Sequence, residues 1–236
     1  MIKLSVVLPV FNEEKSPCFL KVLESLPHDP QVELIIVDGG STDNTVALLK
    51  DKDCVVIENG GEYRSKRLNA GIKVSKGEVV LLHHPRSILS KEALKSLLKL
   101  PDHIVWGAFT HKFDQNHWLL RFTSFYSNYV RSYTQKIFYL DHCIFFRKAV
   151  IQGSLRMPEI PIFEDTELCK ILRESGRPTL LKPLSVTSAV RFQKNGVYRQ
   201  AIMNQVLKFG YSLGVSKEKM DKLYEKGLSL NSKKQY

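Results

Sequence analysis

The chain has 236 residues, of which 43% are hydrophobic and 25% are charged, which is typical of a folded globular protein and excludes a disordered chain. No run approaches about 18 uninterrupted apolar residues, and the N-terminus lacks the long apolar core and cleavage site of a signal peptide. The formal net charge of +11 favours anionic partners: nucleic acid, an anionic lipid surface or a phosphorylated small molecule. The four cysteines are scattered without metal-ligand spacing, which predicts reduced thiols in a cytoplasmic protein.

Strand and helix patterns alternate along the first part of the chain. Continuous apolar runs predict buried strands over residues 4–10, 32–37, 54–57 and 78–82. Helical spacing and capping residues predict helices between these strands, over residues 18–26, 42–50 and 63–74. This βαβ series predicts an α/β fold with a mostly parallel central sheet and helices on both faces.

The remaining residues continue the alternation less regularly. We predict a helix from Ser90, a helix that begins at the Glu164–Asp165 pair, and strands over residues 104–109, 138–146 and 178–187. Two basic C-terminal helices are predicted over residues 197–213 and 217–226.

Residues 113–135 are rich in aromatic side chains. Phe122, Phe125, Tyr126 and Tyr129 share one face of a helix. The shared face predicts packing against the rest of the protein rather than a platform for stacking bases.

Polar residues stand where the predicted parallel strands end, which is where such sheets bind ligands. They occupy positions 12–13, 38–41 and 83–86. Glu164 and Asp165 stand at the mouth of a later helix, where the macrodipole stabilises negative charge. Taken alone, this acid pair is compatible with ordinary N-terminal helix residues or with a catalytic pair.

Several other classes of protein lack support. No GxGxxG follows the first strand, and no GxxxxGK[ST] is present, so neither a dinucleotide-binding oxidoreductase nor a P-loop NTPase is expected. No RNA- or DNA-binding signature accompanies the charge of +11, so we expect no nucleic-acid partner. The basic C-terminal helices instead favour peripheral association with anionic lipid, at the inner face of the membrane.

Four segments together resemble the family 2 glycosyltransferases of the GT-A fold. They are Val-Val-Leu-Pro-Val-Phe-Asn-Glu-Glu (6–14), Ile-Ile-Val-Asp-Gly-Gly-Ser-Thr-Asp-Asn-Thr (35–45), Leu-Asn-Ala-Gly (68–71) and Phe-Glu-Asp-Thr-Glu-Leu (163–168). A narrower resemblance points to the arsenosugar-biosynthesis-like branch. It rests on three segments: Asp141 to Arg147, Ser-Ala-Val-Arg-Phe (188–192) leading to Gly196, and Leu-Gly-Val-Ser (213–216).

The resemblance implies a single GT-A domain over residues 1–236. It divides into a nucleotide-binding half (1–110), an acceptor and catalytic half (111–190) and C-terminal helices (191–236). The implied partners are a nucleotide-sugar donor, with a UDP-sugar favoured, and an acceptor of unspecified kind. The residues expected around the donor are Pro9, Asn12, Glu13, Asp38 and Gly39, with Asp38 accepting hydrogen bonds from the base or ribose.

The resemblance also assigns the catalytic roles. An inverting transferase needs one carboxylate within reach of the acceptor hydroxyl. This role falls to Asp165, with Glu164 beside it as the residue that orients it. Asp141 is expected in the acceptor pocket or, alternatively, in a purely structural position at the start of a strand.

The chain departs from the family at the end of the fourth strand. The family places an acid there that holds Mg²⁺ or Mn²⁺ on the diphosphate, whereas this chain has His83-His84-Pro85-Arg86. A hard divalent cation prefers oxygen ligands, so this sequence disfavours a metal cofactor. A softer metal on the two histidines is also disfavoured, because neighbouring strand residues point to opposite faces.

Cations are the expected replacement for the metal. Arg86 would form bidentate contacts with the diphosphate, aided by Arg64, Lys66 or Arg67, and Arg191 could also reach it. Two functions remain open on this basis. One is a metal-independent transferase, and the other is a catalytically silent protein that binds sugar nucleotides.

Overall fold

The computed structural model describes residues 1–26, 28–151 and 157–227. One mixed sheet of eight strands runs through the described chain in the order β3-β2-β1-β4-β7-β6-β8-β5. The strands are β1 Leu4–Val10, β2 Val32–Asp38, β3 Val55–Ile57, β4 Val79–Leu82, β5 Ser87–Leu89, β6 Trp106–Phe113, β7 Ile144–Arg147 and β8 Thr179–Thr187. β1 to β4 pair in parallel, as does β6 with β8, whereas β7 runs antiparallel to both of its neighbours.

Helices cover both faces of this sheet. Their bounds are α1 Phe19–Ser25, α2 Arg64–Val74, α3 Lys91–Leu98, α4 Trp118–Phe125, α5 Ser132–Thr134, α6 Glu164–Leu172, α7 Val190–Asn195, α8 Val197–Ser212 and α9 Lys217–Gly227. A π-helical turn, Tyr126–Arg131, joins α4 to α5, and short 3₁₀ turns cover Ala47–Leu49, Leu140–His142, Lys148–Ile151 and Arg173–Ser175. The fold is thus the expected α/β architecture with a mostly parallel sheet. No helix of the described chain is both long and apolar enough to cross a membrane.

The core forms two layers because successive residues of a strand point to opposite faces. Val6 and Leu8 of β1 pack with α1 and α3 on one face, whereas Val7 packs with α2 and α6 on the other. All three side chains are fully buried. The helix that bears the Glu164–Asp165 pair is therefore anchored on the same face of the sheet as the basic helix α2.

Two predicted elements are shorter than expected. The helix predicted over 42–50 is only the 3₁₀ turn Ala47–Leu49, because the Asp43 and Thr45 side chains hydrogen-bond the local backbone and the loop after β1. The strand predicted over 138–146 begins at Ile144, after a 3₁₀ turn and a left-handed Cys143 (φ 53°). Helix α7 and strand β5 were not predicted.

The packing prediction for the aromatic residues of α4 and the π-helical turn is wrong. Phe122, Phe125, Tyr126 and Tyr129 do share one helical face, but they are 58%, 56%, 39% and 57% exposed. The face that points inward instead carries small or polar side chains, with Leu120 as its one large apolar member.

Candidate active site

The loops that follow β1 and β2 are bound to each other by side chains at the carboxyl ends of the strands. The Asn12 N–H donates to Ser41 Oγ (2.8 Å), and Asn12 Oδ1 accepts from the Thr42 N–H (2.9 Å). The Glu13 N–H donates to Thr45 Oγ1 (2.7 Å). Asn12 adopts the left-handed conformation (φ 50°), which asparagine tolerates better than most residues. The sequence-predicted donor residues Asn12 and Glu13 therefore lie in one rigid corner with the loop after β2.

Asp38 holds that loop in shape. The Gly40 and Ser41 N–H groups donate to Asp38 Oδ2 (2.8 Å each), and the Ser41 hydroxyl donates to Oδ1. The side chain is 2% exposed. Its observed contacts are with the backbone and the Ser41 side chain of the loop that follows it, and a contact with the base or ribose stays a prediction. Pro9 lies buried inside β1.

A cavity of about 310 Å³ lies beside this corner. Its walls come from the start of α2, the end of β4, the α4–α5 segment, the start of α6 and the C-terminal helices. Of the predicted site residues, those that line it are Arg64, Arg67, Arg86, Asp141, Glu164 and Asp165. The predicted Pro9, Asn12, Glu13, Asp38 and Gly39 are not among its lining residues in the described chain.

Two contacts connect the corner to the cavity. A Cβ added to Gly39 would lie 2.2 Å from Arg67 Nη1, so a larger residue at this position would displace the guanidinium from where it stands. Glu13 receives hydrogen bonds from Arg86 Nε and Nη2, both at 3.4 Å. Gly39 and Glu13 thus lie next to two of the cations of the cavity wall.

The acid pair occupies the first turn of α6, directly after Phe163, which is in the left-handed conformation (φ 65°). Glu164 is 1% exposed and pairs with Arg64 Nε. Asp165 is 7% exposed, and its Oδ2 accepts from the Leu140 N–H (3.0 Å) and lies 3.7 Å from Arg64 Nη2. Both carboxylates are therefore held rigidly at the cavity, and Glu164 fixes the arginine that contacts its neighbour.

The environment of Asp165 shifts its protonation. Burial and the adjacent Glu164 carboxylate raise the pKa of Asp165 to about 6, although Arg64 and the Leu140 N–H act in the opposite direction. A carboxylate with a pKa near the working pH is suited to accept a proton and release it again.

The arginines of the cavity differ in how they are held. Arg64 and Arg86 pair with carboxylates, as described above. Arg67 is 6% exposed, donates from Nη1 to the Val10 carbonyl (3.2 Å) and lies over the Phe11 ring. Among the described residues, the buried Arg67 Nε finds no hydrogen-bond partner. A buried guanidinium with an unused donor beside a cavity is the kind of group that binds an anion.

The residues after β4 do not fit a divalent cation. The segment is His83-His84-Pro85-Arg86, in which His84 and Arg86 line the cavity and His83 is fully buried. Burial lowers the pKa of His83 to about 4, and burial together with Arg64 lowers the pKa of His84. In the part of the chain that the structure describes, no group of three or more His, Cys, Asp or Glu side chains is arranged to hold a metal ion.

Asp141 lies on the far side of the cavity, in the 3₁₀ turn before β7. Its Oδ2 is 3.6 Å from His111 Nε2, and its Oδ1 is buried without a hydrogen-bond partner among the described residues. Burial opposes ionisation of Asp141, but His111, His142 and Arg131 outweigh it and lower the pKa. The carboxylate therefore offers an unused acceptor beside the cavity.

Sequence reasoning missed several residues of the cavity wall. Arg131 lies with its Cζ 3.6 Å from the centre of the Tyr139 ring, and Lys208 Nζ lies 5.5 Å from the same ring. Arg191, which was anticipated near the donor phosphate, lines the cavity and donates to the Tyr224 hydroxyl. No local pattern marks Arg131 or Lys208, because the two residues meet at the cavity from different helical segments.

Comparison with solved structures shows the same fold in several other proteins. TarS from S. aureus gives a TM-score of 0.66 at 20% identity, with 87% of this chain and 40% of TarS covered. TarS 1–349 in complex with UDP-GlcNAc gives 0.63 at 21% identity, covering 79% and 58%. The mannosyltransferase PcManGT from Pyrobaculum calidifontis, in complex with GDP-Man and Mn²⁺, gives 0.63 at 15% identity, covering 91% and 65%. The chain thus spans less than half of TarS.

Comparison of sequences is more specific about the family. Among curated proteins, no sequence matches this chain. The model of the family described as "Glycosyl transferase family 2" matches residues 5–155, well over half of the chain. The matched region contains both strand-end loops and the basic helix α2, whereas Glu164 and Asp165 lie beyond it. On this evidence the chain belongs to glycosyl transferase family 2.

Proposed function

We propose that the protein transfers a sugar from a nucleotide-diphosphate sugar to an acceptor hydroxyl with inversion, using Asp165 as the general base. The observation that carries the proposal is a buried carboxylate of raised pKa at a cavity that is also lined by Arg64, Arg67 and Arg86. UDP-sugars are the first donors to test, because TarS and the M. tuberculosis glucosyl-3-phosphoglycerate synthase have been solved with UDP-GlcNAc and UDP, respectively. The narrower assignment to the arsenosugar-biosynthesis-like branch is part of the proposal and rests on the segments described above.

The reaction divides between two groups of residues. Asp165 takes the proton of the acceptor hydroxyl while the hydroxyl oxygen forms a bond to the anomeric carbon of the sugar. The bond from that carbon to the diphosphate breaks, and the nucleoside diphosphate leaves with the electron pair. Arg67, Arg64 and Arg86 would neutralise its charge, and Asp141 would bind another hydroxyl of the acceptor.

Replacing the base tests the assignment directly. We expect Asp165→Asn to lower kcat by about 10²–10⁴-fold, the range for general-base catalysis. The variant should melt at or above the Tm of the wild type at neutral pH, because burial disfavours the charge that asparagine removes. Glu174→Gln, at an exposed position after the same helix, is the matched control. A kcat within a few-fold of wild type in a folded Asp165→Asn variant would defeat the assignment.

The proposal includes turnover without a divalent cation. It is supported by the residues after β4, which supply no carboxylate, and by the arginines that line the cavity. Activity should survive EDTA and fall in Arg67→Met, while Lys73→Met on the exposed face of the same helix stays active. The Arg86→Ala variant tests the role of Arg86 as a second cation. To reach a diphosphate, Arg86 must give up part of its contact with Glu13. Strict dependence on added Mn²⁺ would overturn this part.

A catalytically silent sugar-nucleotide-binding protein is the second candidate. It is favoured by the absence of the metal-binding acid and by the pairing of Arg86 with Glu13. Thermal-shift measurements with UDP-, GDP- and TDP-sugars, with and without Mn²⁺, separate the candidates when combined with a turnover assay. A rise in Tm with a sugar nucleotide but no release of nucleoside diphosphate with any acceptor would favour the silent protein. Peripheral association with an anionic membrane belongs to the proposal for either candidate, as does the absence of a nucleic-acid partner.

A further inference from the structure

Two helical segments present large apolar side chains to the outside of the protein. The first runs through α4, the π-helical turn and α5, and its exposed members recur every three or four residues, with Phe125 and Tyr126 adjacent. They are 39% to 83% exposed: Trp118, Phe122, Phe125, Tyr126, Tyr129 and Tyr133. Such a regular stripe is normally buried in a soluble protein, so its exposure requires an explanation.

Helix α8 carries a second stripe of the same kind. Its members also recur at three- or four-residue intervals and are 48% to 67% exposed: Tyr198, Ile202, Val206, Phe209 and Leu213. The two stripes meet where the Trp118 Nε1–H donates to the Tyr198 hydroxyl (3.3 Å), with their ring centres 6.4 Å apart. The two stripes therefore make one continuous surface, which we call the aromatic face.

The two stretches of chain that carry the aromatic face contain basic residues and no acidic ones. No acidic residue occurs between Asp114 and Asp141 or between Glu174 and Glu218, the two stretches that contain both stripes. Exposed cations flank the stripes at Arg121, Lys194 and Arg199. The chemistry of the face thus combines apolar side chains with positive charge.

The inner sides of the same helices form part of the cavity wall. Thr123, Ser127 and Arg131 line the cavity from the first segment, and Asn204, Leu207 and Lys208 line it from α8. The candidate active site therefore lies directly behind the aromatic face. A partner bound to this face would be next to the region that also contains Asp141.

We propose that the aromatic face docks on the surface of an anionic lipid bilayer, with its apolar side chains at the headgroup level. Aromatic rings and exposed cations together are the side chains that bind this interface. A second copy of the chain is a poorer fit, because pairing the face with itself would oppose like charges. Single-stranded nucleic acid is also a poorer fit, since Ile202, Val206 and Leu213 offer no ring on which bases could stack.

The consequence for function is positional. A hydroxyl acceptor carried by a membrane lipid would reach the cavity from the side of the two helices, without leaving the bilayer surface. Docking itself depends on the outer surface and not on sugar transfer. The catalytic variant Asp165→Asn should therefore bind vesicles as well as the wild type does, which separates a failure of this inference from a failure of the proposed function.

Tryptophan fluorescence reports docking at the face itself. The chain has two tryptophans, of which Trp118 is 62% exposed and Trp106 is fully buried. Phosphatidylcholine vesicles containing phosphatidylglycerol should shift the emission of the full-length protein to shorter wavelength, and Trp118→Phe should abolish the shift. Vesicles of phosphatidylcholine alone should give a much smaller shift. An equal shift with both vesicles, or no shift with either, would contradict an anionic lipid partner.

Flotation with the same vesicles tests which residues bind. Phe122→Ser with Phe209→Ser removes one ring from each stripe, and the double variant should lower vesicle binding by about tenfold or more. Leu20→Ser with Val55→Ser is the matched control, since these side chains are 50% and 48% exposed on α1 and β3. Arg121→Glu with Arg199→Glu should lower binding by about tenfold or more, whereas Lys21→Glu with Lys95→Glu should have a smaller effect.

Other occupants of the face would give different results. A wild-type dimer in sedimentation that becomes a monomer in the Phe122→Ser, Phe209→Ser variant would make the face a dimer interface and overturn the proposal. Binding of a single-stranded oligonucleotide that is lost in this variant, without vesicle binding by the wild type, would overturn it as well. Equal vesicle binding by the face variants and their controls would also refute the assignment.

Discussion

Asp165 shows how a side chain acquires a chemical role from its surroundings. An aspartate in the first turn of a helix is ordinarily stabilised as an anion by the helix dipole. Here burial and Glu164 reverse the balance and raise the pKa to about 6, even though Arg64 lies 3.7 Å away. The residue is thus charged at neutral pH yet still able to carry a proton during a reaction.

This pKa predicts a pH profile. The base must be deprotonated, so kcat should fall as pH decreases through about 6 and level off above it. Arg64 holds the pKa of Asp165 down, so Arg64→Met should move the acidic limb of the profile to higher pH. The midpoint of kcat against pH is the measurement.

A second variant serves as the control for this pH profile. Lys170→Met removes an exposed cation from the same helix and should leave the midpoint unchanged. An acidic limb that stays in place in the Arg64→Met variant would show that Asp165 is not the group that titrates.

At the scale of elements, helix α2 connects the sheet to the site. Its first turn supplies Arg64 and Arg67, and Gly71 faces the sheet at its middle. A Cβ at Gly71 would lie 2.3 Å from Val7 Cγ1 and 3.1 Å from Val37 Cγ2. The glycine therefore sets how closely the helix approaches β1 and β2, and so where the two arginines stand.

Gly71→Ala tests this close approach. Alanine gains about 1 kcal/mol of helix propensity over glycine. Because Val7 and Val37 are fully buried and cannot move aside, overpacking should cost more, for a net loss of about 1–2 kcal/mol in the free energy of unfolding. Urea denaturation measures the loss. Lys73→Ala, on the exposed side of the same helix, is the control and should stay within about 0.5 kcal/mol of the wild type.

The whole molecule is organised by one sheet. The predicted boundary at residue 110 falls inside β6, and β7 from the second part lies between β4 and β6. Removing the second part would expose the edge of β4 and the apolar layer under α6. The strands of the two proposed halves thus pair with each other in a single sheet.

A shortened chain tests that dependence. Residues 1–110 alone should show no cooperative thermal transition, because β4 would lose β7 and much of the core would be open to water. The full-length protein, measured by circular dichroism under the same conditions, is the reference. A sharp, reversible transition in the shortened chain would show that the first part folds by itself.

The sequence by itself determined the elements whose signals are local. Continuous apolar runs predicted β1 to β4, because a strand buried on both faces needs apolar side chains throughout. The polar residues at the strand ends and the acid pair were also recognisable, because each lies within a few residues of a predicted strand or helix. The family could be recognised from these segments together.

Only the tertiary structure decided how these parts serve the site. Lys208 of α8 joins Arg131 and Tyr139 at the cavity from a segment far along the chain, and no spacing connects it to them. The aromatic stripe that begins on α4 was predicted to face the core, but it faces outward. Helical periodicity shows that a face is apolar but not what covers it. The raised pKa of Asp165 likewise depends on burial, which arises only when α6 packs on the sheet.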